Sequence, residues 1–295
     1  MKMLVVGING MLGHKFAEIA SKDFRVTGTY TKFLSKRNYP TERLDILNKR
    51  YVDQVVEKLR PDIIVNCAAI TNVDFCEEHP EVAEAVNVDG TKNLVDAARN
   101  VGAQFVYFST DSIFDGNKGN YTEESNPNPV NVYSRTKLEG EKLVSEKDLI
   151  IRTTMYGWNI LEKKSLSEWI IDELSNNKKI NMYTDNYFTP IYTGTLSRIV
   201  VEMLRKKMSG LYHVPGNEKL SKYTFAKKVA RVFGLDENLI NMVSIESAIK
   251  KAQRPKDLSL NSSKIRGEGV RLNDVEDDLK IMKKERVVEN VLQKG

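Results

Sequence analysis

Short apolar, β-branched runs alternate with amphipathic stretches through the first half of the chain. Met3 to Val6 precedes a helical pattern from Leu12 to Ser21; Arg25 to Tyr30, a helical Tyr51 to Leu59 and then Ile63 to Cys67 follow. A helix predicted at about Pro80 to Val101 leads into the apolar run Phe105 to Phe108, a helix carrying Tyr133, and the run Leu149 to Ile151. Such alternation marks βαβ units, and strands buried on both faces read as continuous apolar runs. The predicted fold class is α/β: a Rossmann-type, doubly wound parallel sheet with a smaller C-terminal α/β lobe.

Beyond Arg152 the pattern shifts to longer helical stretches, such as Ser165 to Asn176 and Ser221 to Phe233, broken by Gly-, Asn- and Pro-containing turns. Residues 1–152 are therefore expected to form a dinucleotide-binding domain. Residues 190–208 are expected to return to cover its sheet, and residues 153–189 and 209–295 to form a substrate-binding lobe. The tail from Asp274 onward reads as a mixed-charge terminal helix.

Composition narrows the function classes. The chain has 295 residues, 41% hydrophobic and 29% charged, and no apolar stretch approaches the roughly 18–20 residues a membrane span requires. The start, Met1 to Gly7, is too short an apolar run for a signal peptide and leads into a strand, so a cytoplasmic setting is expected. Two cysteines, Cys67 and Cys76, exclude a disulfide framework, and His14, His79 and His213 are too dispersed for a metal site. A net charge of +5 is scattered rather than concentrated, which argues against nucleic acid as a partner.

Directly after the first strand lies Gly7-Ile8-Asn9-Gly10-Met11-Leu12-Gly13, a GxxGxxG loop opening a helix. Its glycines allow a tight turn and close backbone approach to a pyrophosphate, and the helix N-terminus offers free amides. Gly7, Asn9, Gly10, Met11, Leu12 and Gly13 are thus candidate cofactor contacts. At the end of the second strand an NAD site usually places a carboxylate on the ribose. Here Thr31, Lys32, Lys36 and Arg37 stand instead, so NADP (NADPH) is expected, with NAD the other candidate if these cations only solvate a loop. Asp45 and Ile46 are positioned to meet the adenine, and Cys67, Ala68 and Ala69 are small enough to admit the nicotinamide half beside the backbone. Cys67 reads as a packing residue rather than a reactive thiol.

Tyr133 and Lys137, four residues apart, share one helix face. A phenol titrating near pH ~10 donates a proton poorly unless positive charge stabilises the phenolate, and Lys137 is placed to supply that charge. Ser109-Thr110-Asp111-Ser112 follows a strand, so its hydroxyls are expected at the same carboxyl edge as the glycine loop, where Thr110 and Tyr133 can converge on one carbonyl oxygen.

With this combination the chain resembles the extended short-chain dehydrogenase/reductases, and within them it is similar to the dTDP-4-dehydrorhamnose reductase family. The matching segments are Gly7 to Gly13, Asp45-Ile46, Asn66 to Thr71 with Val73-Asp74, Val86-Asn87, Ser109-Thr110-Asp111 with Phe114-Asp115-Gly116, Tyr133 to Glu141, Arg152-Thr153 and Gln253-Arg254-Pro255. The resemblance implies hydride reduction of the 4-keto group of a nucleotide-linked 6-deoxyhexose, as in dTDP-rhamnose biosynthesis. In that scheme Tyr133 protonates the alkoxide, Thr110 polarises the carbonyl, and Lys137 lowers the Tyr133 pKa and binds the nicotinamide ribose. It also implies Thr71 as a cofactor contact, Asp111, Ser112, Met155 and Arg254 as substrate contacts, and a nucleotide sugar as ligand. Neither nucleic acid nor membrane is implied as a partner, and a homodimer is a candidate assembly.

Two positions depart from the family pattern. Ser112 replaces a usual Tyr, and Met155 an aromatic, commonly Trp. Ser112 also stands where a nucleotide-sugar 4,6-dehydratase would carry Glu, which argues against elimination chemistry. A 4-epimerase stays open, although Phe114-Asp115-Gly116 fits the reductase better. So does a role like that of the regulatory subunit of methionine adenosyltransferase, which resembles this family and binds NADP as a partner protein.

Overall fold

The structure, a computed structural model, describes residues 1–32, 37–160, 163–247 and 252–292. Lys36 lies outside the described residues. Through the first half run β1 (Lys2–Val6), α1 (Met11–Ala20), β2 (Arg25–Tyr30), β3 (Thr41–Arg43), α2 (Lys49–Leu59), β4 (Ile63–Asn66), α3 (Val73–Glu78), α4 (Pro80–Glu84), α5 (Gly90–Val101), β5 (Gln104–Thr110), α6 (Val132–Lys142) and β6 (Leu149–Thr153). Then come β7 (Met155–Tyr156), α7 (Leu166–Ser175), β8 (Ile180–Tyr183), β9 (Tyr187–Phe188), β10 (Ile191–Tyr192), α8 (Thr193–Arg205), β11 (Gly210–His213), β12 (Leu220–Ser221), α9 (Lys222–Phe233), β13 (Ile240–Val243), α10 (Ser263–Gly267) and α11 (Val275–Leu292).

Seven strands form one sheet in the order β11-β6-β5-β4-β1-β2-β3, every pair parallel. The chain winds outward from β1 in one direction and from β4 in the other. The crevice at the carboxyl ends of these two strands is the topological switch point where ligands bind in open α/β sheets. It holds the glycine loop after β1 and Cys67 to Ala69 after β4.

Both faces of the sheet are covered, which is why its strands carry apolar residues on both sides. On one face Phe16 and Ala17 of α1 and Leu196 and Val200 of α8 pack on Met3, Val5, Val106 and Ile151. On the other, Val52 and Val56 of α2 and Leu94 and Ala98 of α5 pack on Leu4, Val6, Ile64 and Phe105. A separate core, with Tyr156, Ile170, Phe188, Phe225, Val229, Leu279 and Met282, builds the second lobe. The mixed-charge tail helix α11 thus docks one apolar face there.

Two elements differ from the sequence expectation. The stretch assigned to the second lobe from residue 209 opens with β11, which pairs with β6 from Gly210 to His213. The return to the sheet therefore runs on past residue 208, to His213 at the sheet edge. The helix expected at about Pro80 to Val101 is interrupted by a π-helical turn, Ala85–Asp89, and preceded by the separate helix α3. The turn directs Asn87 inward, where its Oδ1 accepts from the Ile70 amide (2.9 Å) and its Nδ2 donates to the Ile70 carbonyl (3.1 Å) and to Thr136 Oγ1 (3.0 Å).

Candidate active site

The loop after β1 is shaped by close backbone approach. Gly7 sits at φ +84°, and a β-carbon there would press on the Ala68 amide nitrogen at 3.0 Å; a β-carbon on Gly13 would collide with the Gly7 carbonyl. Gly10 caps α1 without a side chain, which leaves the first-turn amides of α1 open to a ligand. Gly10, Met11 and Leu12 line a cavity of about 790 Å³. Gly7, Asn9 and Gly13 are off its lining, and the close approaches at Gly7 and Gly13 set the loop's path. Such a cradle fits a pyrophosphate.

The residues expected on the adenosine side lie off this cavity. Thr31 and Lys32 are exposed just past β2, and the Thr31 carbonyl accepts from Arg43 Nε at 3.0 Å. Arg37 comes near His14 on the first turn of α1; burial, then the Arg37 charge, holds that imidazole down at about 4. A cation therefore flanks both the end of β2 and the start of α1. Asp45 is exposed and accepts from the Leu47 amide at 3.0 Å, while Ile46 is buried against Gly90 of α5.

Cys67, Ala68, Ala69 and Thr71 line the cavity at the end of β4. Burial pushes the Cys67 thiol well up, which is the behaviour of a packing residue. Thr71 Oγ1 accepts from Lys163 Nζ at 2.7 Å, so the segment before α7 reaches across to the sheet edge. Sequence reasoning missed Lys163 and the role of Asn87 in holding Ile70. Asn87 carried only the signal of its place in a matching segment, and Lys163 carried none.

Thr110, Tyr133 and Lys137 meet on the wall of the same cavity. Thr110 is the last residue of β5. Tyr133 and Lys137 project from α6, whose cap Asn131 accepts from the Ser134 amide (2.9 Å) and donates to the Gln253 carbonyl (3.1 Å). Burial raises the Tyr133 phenol to about 12, opposed by hydrogen bonding from the nearby Thr110 hydroxyl. Burial also lowers Lys137 to about 7, opposed by Glu141. The resemblance assigns Lys137 the lowering of the Tyr133 pKa; in this structure Lys137 makes two other contacts. Its Nζ donates to the Phe108 carbonyl at 2.7 Å and lies 4.1 Å above the Tyr107 ring, and desolvation disfavours the very charge that would stabilise a phenolate.

A second cavity of about 390 Å³ adjoins the first, sharing Asp111, Ser112, Thr154 and Leu166. Arg254 lines it and pairs with Asp74 at 3.1 Å. Met155 lines only the larger cavity. Trp169, Tyr183, Tyr187 and Phe188 of the second lobe face the smaller one. They supply aromatic surface from elements that the reading of Ser112 and Met155 did not consider, although Tyr183, Tyr187 and Phe188 cluster visibly in the sequence. Behind Thr153 a buried network fixes β6: Arg152 NH2 meets Glu141 Oε1 at 2.6 Å, and Arg152 NH1 lies 3.5 Å from His213 Nε2. Among the described residues, no group of three or more His, Cys, Asp or Glu side chains is placed to hold a metal, and no helix is long and apolar enough to cross a membrane.

The family model described as RmlD substrate binding domain matches residues 1–287. The probable low-salt glycan biosynthesis reductase of Haloferax volcanii is 31% identical over 95% of this chain and 96% of its own length. Methionine adenosyltransferase 2 subunit beta of Bos taurus is 30% identical over 91% of this chain and 83% of its own. Among solved structures, dTDP-4-dehydrorhamnose reductase of Bacillus anthracis in complex with NADP superposes with a TM-score of 0.82 at 29% identity, covering 96% of this chain and 99% of that one.

Proposed function

The chain belongs to the RmlD substrate binding domain family, and from that premise we propose that it is an NADPH-dependent reductase of the 4-keto group of a nucleotide-linked 6-deoxyhexose, with dTDP-4-dehydrorhamnose the first substrate to test. One observation carries this reading: Thr110, Tyr133 and Lys137 share a cavity wall with the start of α1 and with Cys67 to Ala69. A proton donor and a dinucleotide cradle that face one space suit carbonyl reduction.

Gly7 to Gly13 would hold the pyrophosphate, and Thr31, Lys32 and Arg37 the adenosine 2′-phosphate. Asp45 and Ile46 would flank the adenine, and Cys67, Ala68, Ala69 and Thr71 the nicotinamide half. When bound, the reduced nicotinamide supplies hydride to the carbonyl carbon. Tyr133 gives its phenolic proton to the oxygen that receives the electron pair, and Thr110 orients that oxygen by hydrogen bonding. Lys137 is placed to bond the nicotinamide ribose once it turns from the Phe108 carbonyl. Asp111, Ser112, Met155 and Arg254 face the sugar nucleotide. In this division of labour residues 1–152 hold the cofactor and also bring Thr110, Asp111, Ser112 and Tyr133 to the substrate, to which the rest of the chain adds Met155 and Arg254.

The similarity to methionine adenosyltransferase 2 subunit beta supports a second reading, an NADP-binding partner protein without turnover. A 4-epimerase is a third. One assay separates them. NADPH oxidation that requires a 4-keto sugar nucleotide, with a lower Michaelis constant for NADPH than for NADH, supports the reductase. Co-purification with a synthetase and no oxidation favours the partner role, and redox-neutral isomerisation favours the epimerase.

A further inference from the structure

The Thr110 hydroxyl stands between two acids. On one side is the Tyr133 phenol, which shares the cavity wall with Thr110 and whose pKa, raised by burial, is drawn back by hydrogen bonding from the Thr110 hydroxyl. On the other, Thr110 Oγ1 donates to Asp111 Oδ1 at 3.2 Å. Ser112 fixes the arrangement, its amide donating to Thr110 Oγ1 at 3.1 Å and its Oγ to Asp111 Oδ1 at 3.4 Å. Thr110 and Asp111 are 6% and 4% exposed, so little water competes for these bonds.

Asp111 also lies where the two cavities meet. A cofactor and sugar that fill the larger cavity cut Tyr133 off from bulk water. The carboxyl of Asp111 is reached from the smaller cavity as well. Lys137 donates to the Phe108 carbonyl in this structure and would turn to the nicotinamide ribose.

We propose that Asp111 is a proton-relay residue, which takes up a proton through the smaller cavity while the larger one is still filled and passes it by way of the Thr110 hydroxyl to recharge Tyr133. The idea rests on the reductase reading above. The balance is simple. Tyr133 loses its proton to the substrate oxygen, the phenolate takes the Thr110 hydroxyl proton, Thr110 takes the Asp111 carboxyl proton, and the carboxylate is reloaded from water. One proton is consumed for each carbonyl reduced.

The acidities run in the right order. Burial pushes Asp111 up to about 6, against Lys222 from α9 and hydrogen bonds from Thr110, Ser112 and Thr154. The charged Arg254 lines the same smaller cavity, and Tyr133 faces Asp111 from α6. Asp111 is thus a far stronger acid than the phenol, yet holds a proton at a pH where an ordinary aspartate does not.

The test is the pH profile of kcat from pH 5 to 9 for the wild type, Asp111→Asn, Asp111→Glu and Thr110→Val, each checked for native circular dichroism. The wild type is expected to lose kcat as pH rises through Asp111's titration. Asp111→Asn is expected to fall about 10-fold or more in kcat and to lose that limb, Asp111→Glu to regain it, and Thr110→Val to lack it although the carboxyl is intact. An unchanged limb in Asp111→Asn, or a loss confined to KM, overturns the relay.

Wild-type turnover is the control that separates the two ideas: its absence counts against the reductase reading, whereas turnover with an unaltered Asp111→Asn profile counts against the relay alone. A second readout needs no turnover. With ¹³C-labelled tyrosine, the Tyr133 resonance, assigned by its loss in Tyr133→Phe, is expected to shift with a midpoint near that of Asp111 in the wild type and not in Asp111→Asn. The same shift in both overturns the coupling.

Discussion

At the scale of single residues, burial sets the chemistry. Tyr133 is a half-buried phenol on the cavity wall, raised to about 12 with the Thr110 hydroxyl opposing, so it holds its proton at neutral pH and, in the proposed reaction, gives it to a developing alkoxide. Tyr133→Phe is expected to lose about 10²- to 10⁴-fold in kcat while NADPH affinity, read by fluorescence titration, stays within a few-fold; near-normal turnover would remove Tyr133 from the role. The spacing of Tyr133 and Lys137 and the strand-end position of Thr110 were legible in the sequence. What Lys137 touches was not. Its hydrogen bond to the Phe108 carbonyl and its place over Tyr107 depend on β5, an element far from it in the chain.

At the scale of elements, the glycine loop and the π-turn do the positioning. The loop was readable because a strand, a GxxGxxG run and an amphipathic helix follow one another locally. Gly13→Ala is expected to weaken NADPH binding by tenfold or more, because its β-carbon meets the Gly7 carbonyl and must push α1 off the loop, an overpacking cost of roughly 1–3 kcal/mol. Calorimetric titration checks this, and unchanged affinity would show that the loop relaxes freely. The π-turn was not readable. Nothing in the apolar period of residues 80–101 marks an extra residue in one turn; its Asn87 satisfies the amide and carbonyl of Ile70, a backbone distant from it in sequence.

At the scale of the whole molecule, the sheet edge is tied down by buried polar groups. His213 of β11 is fully buried, its Nδ1 donating to the Tyr121 carbonyl at 3.0 Å. Burial, then the Arg152 charge, lowers it from 6.5 to about 3. Between those values the unfolded chain binds a proton and the folded chain does not, so the stability involved is fully present above pH 6.5 and is lost as pH falls towards 3. His14, lowered to about 4, acts in the same direction, whereas Asp111, raised from 3.8 to about 6, opposes both in its own window. His213→Gln is therefore expected to show a smaller drop in Tm between pH 7 and pH 4 than the wild type, by about 3 °C or more. Equal drops would show that His213 is not a source of the acid sensitivity.

The sequence by itself determined the α/β class, the parallel sheet, the glycine loop and the candidate trio Thr110, Tyr133 and Lys137. Each rests on a local period or on order along the chain, which folding does not rearrange. Only the tertiary structure decided that β11 completes the sheet, that Asp111 is shared by two cavities, and that Trp169 and Tyr183 supply aromatic surface to the site. It also decided which charges are suppressed. Desolvation comes from atoms that segments distant in sequence bring together, and no pattern within one segment records it.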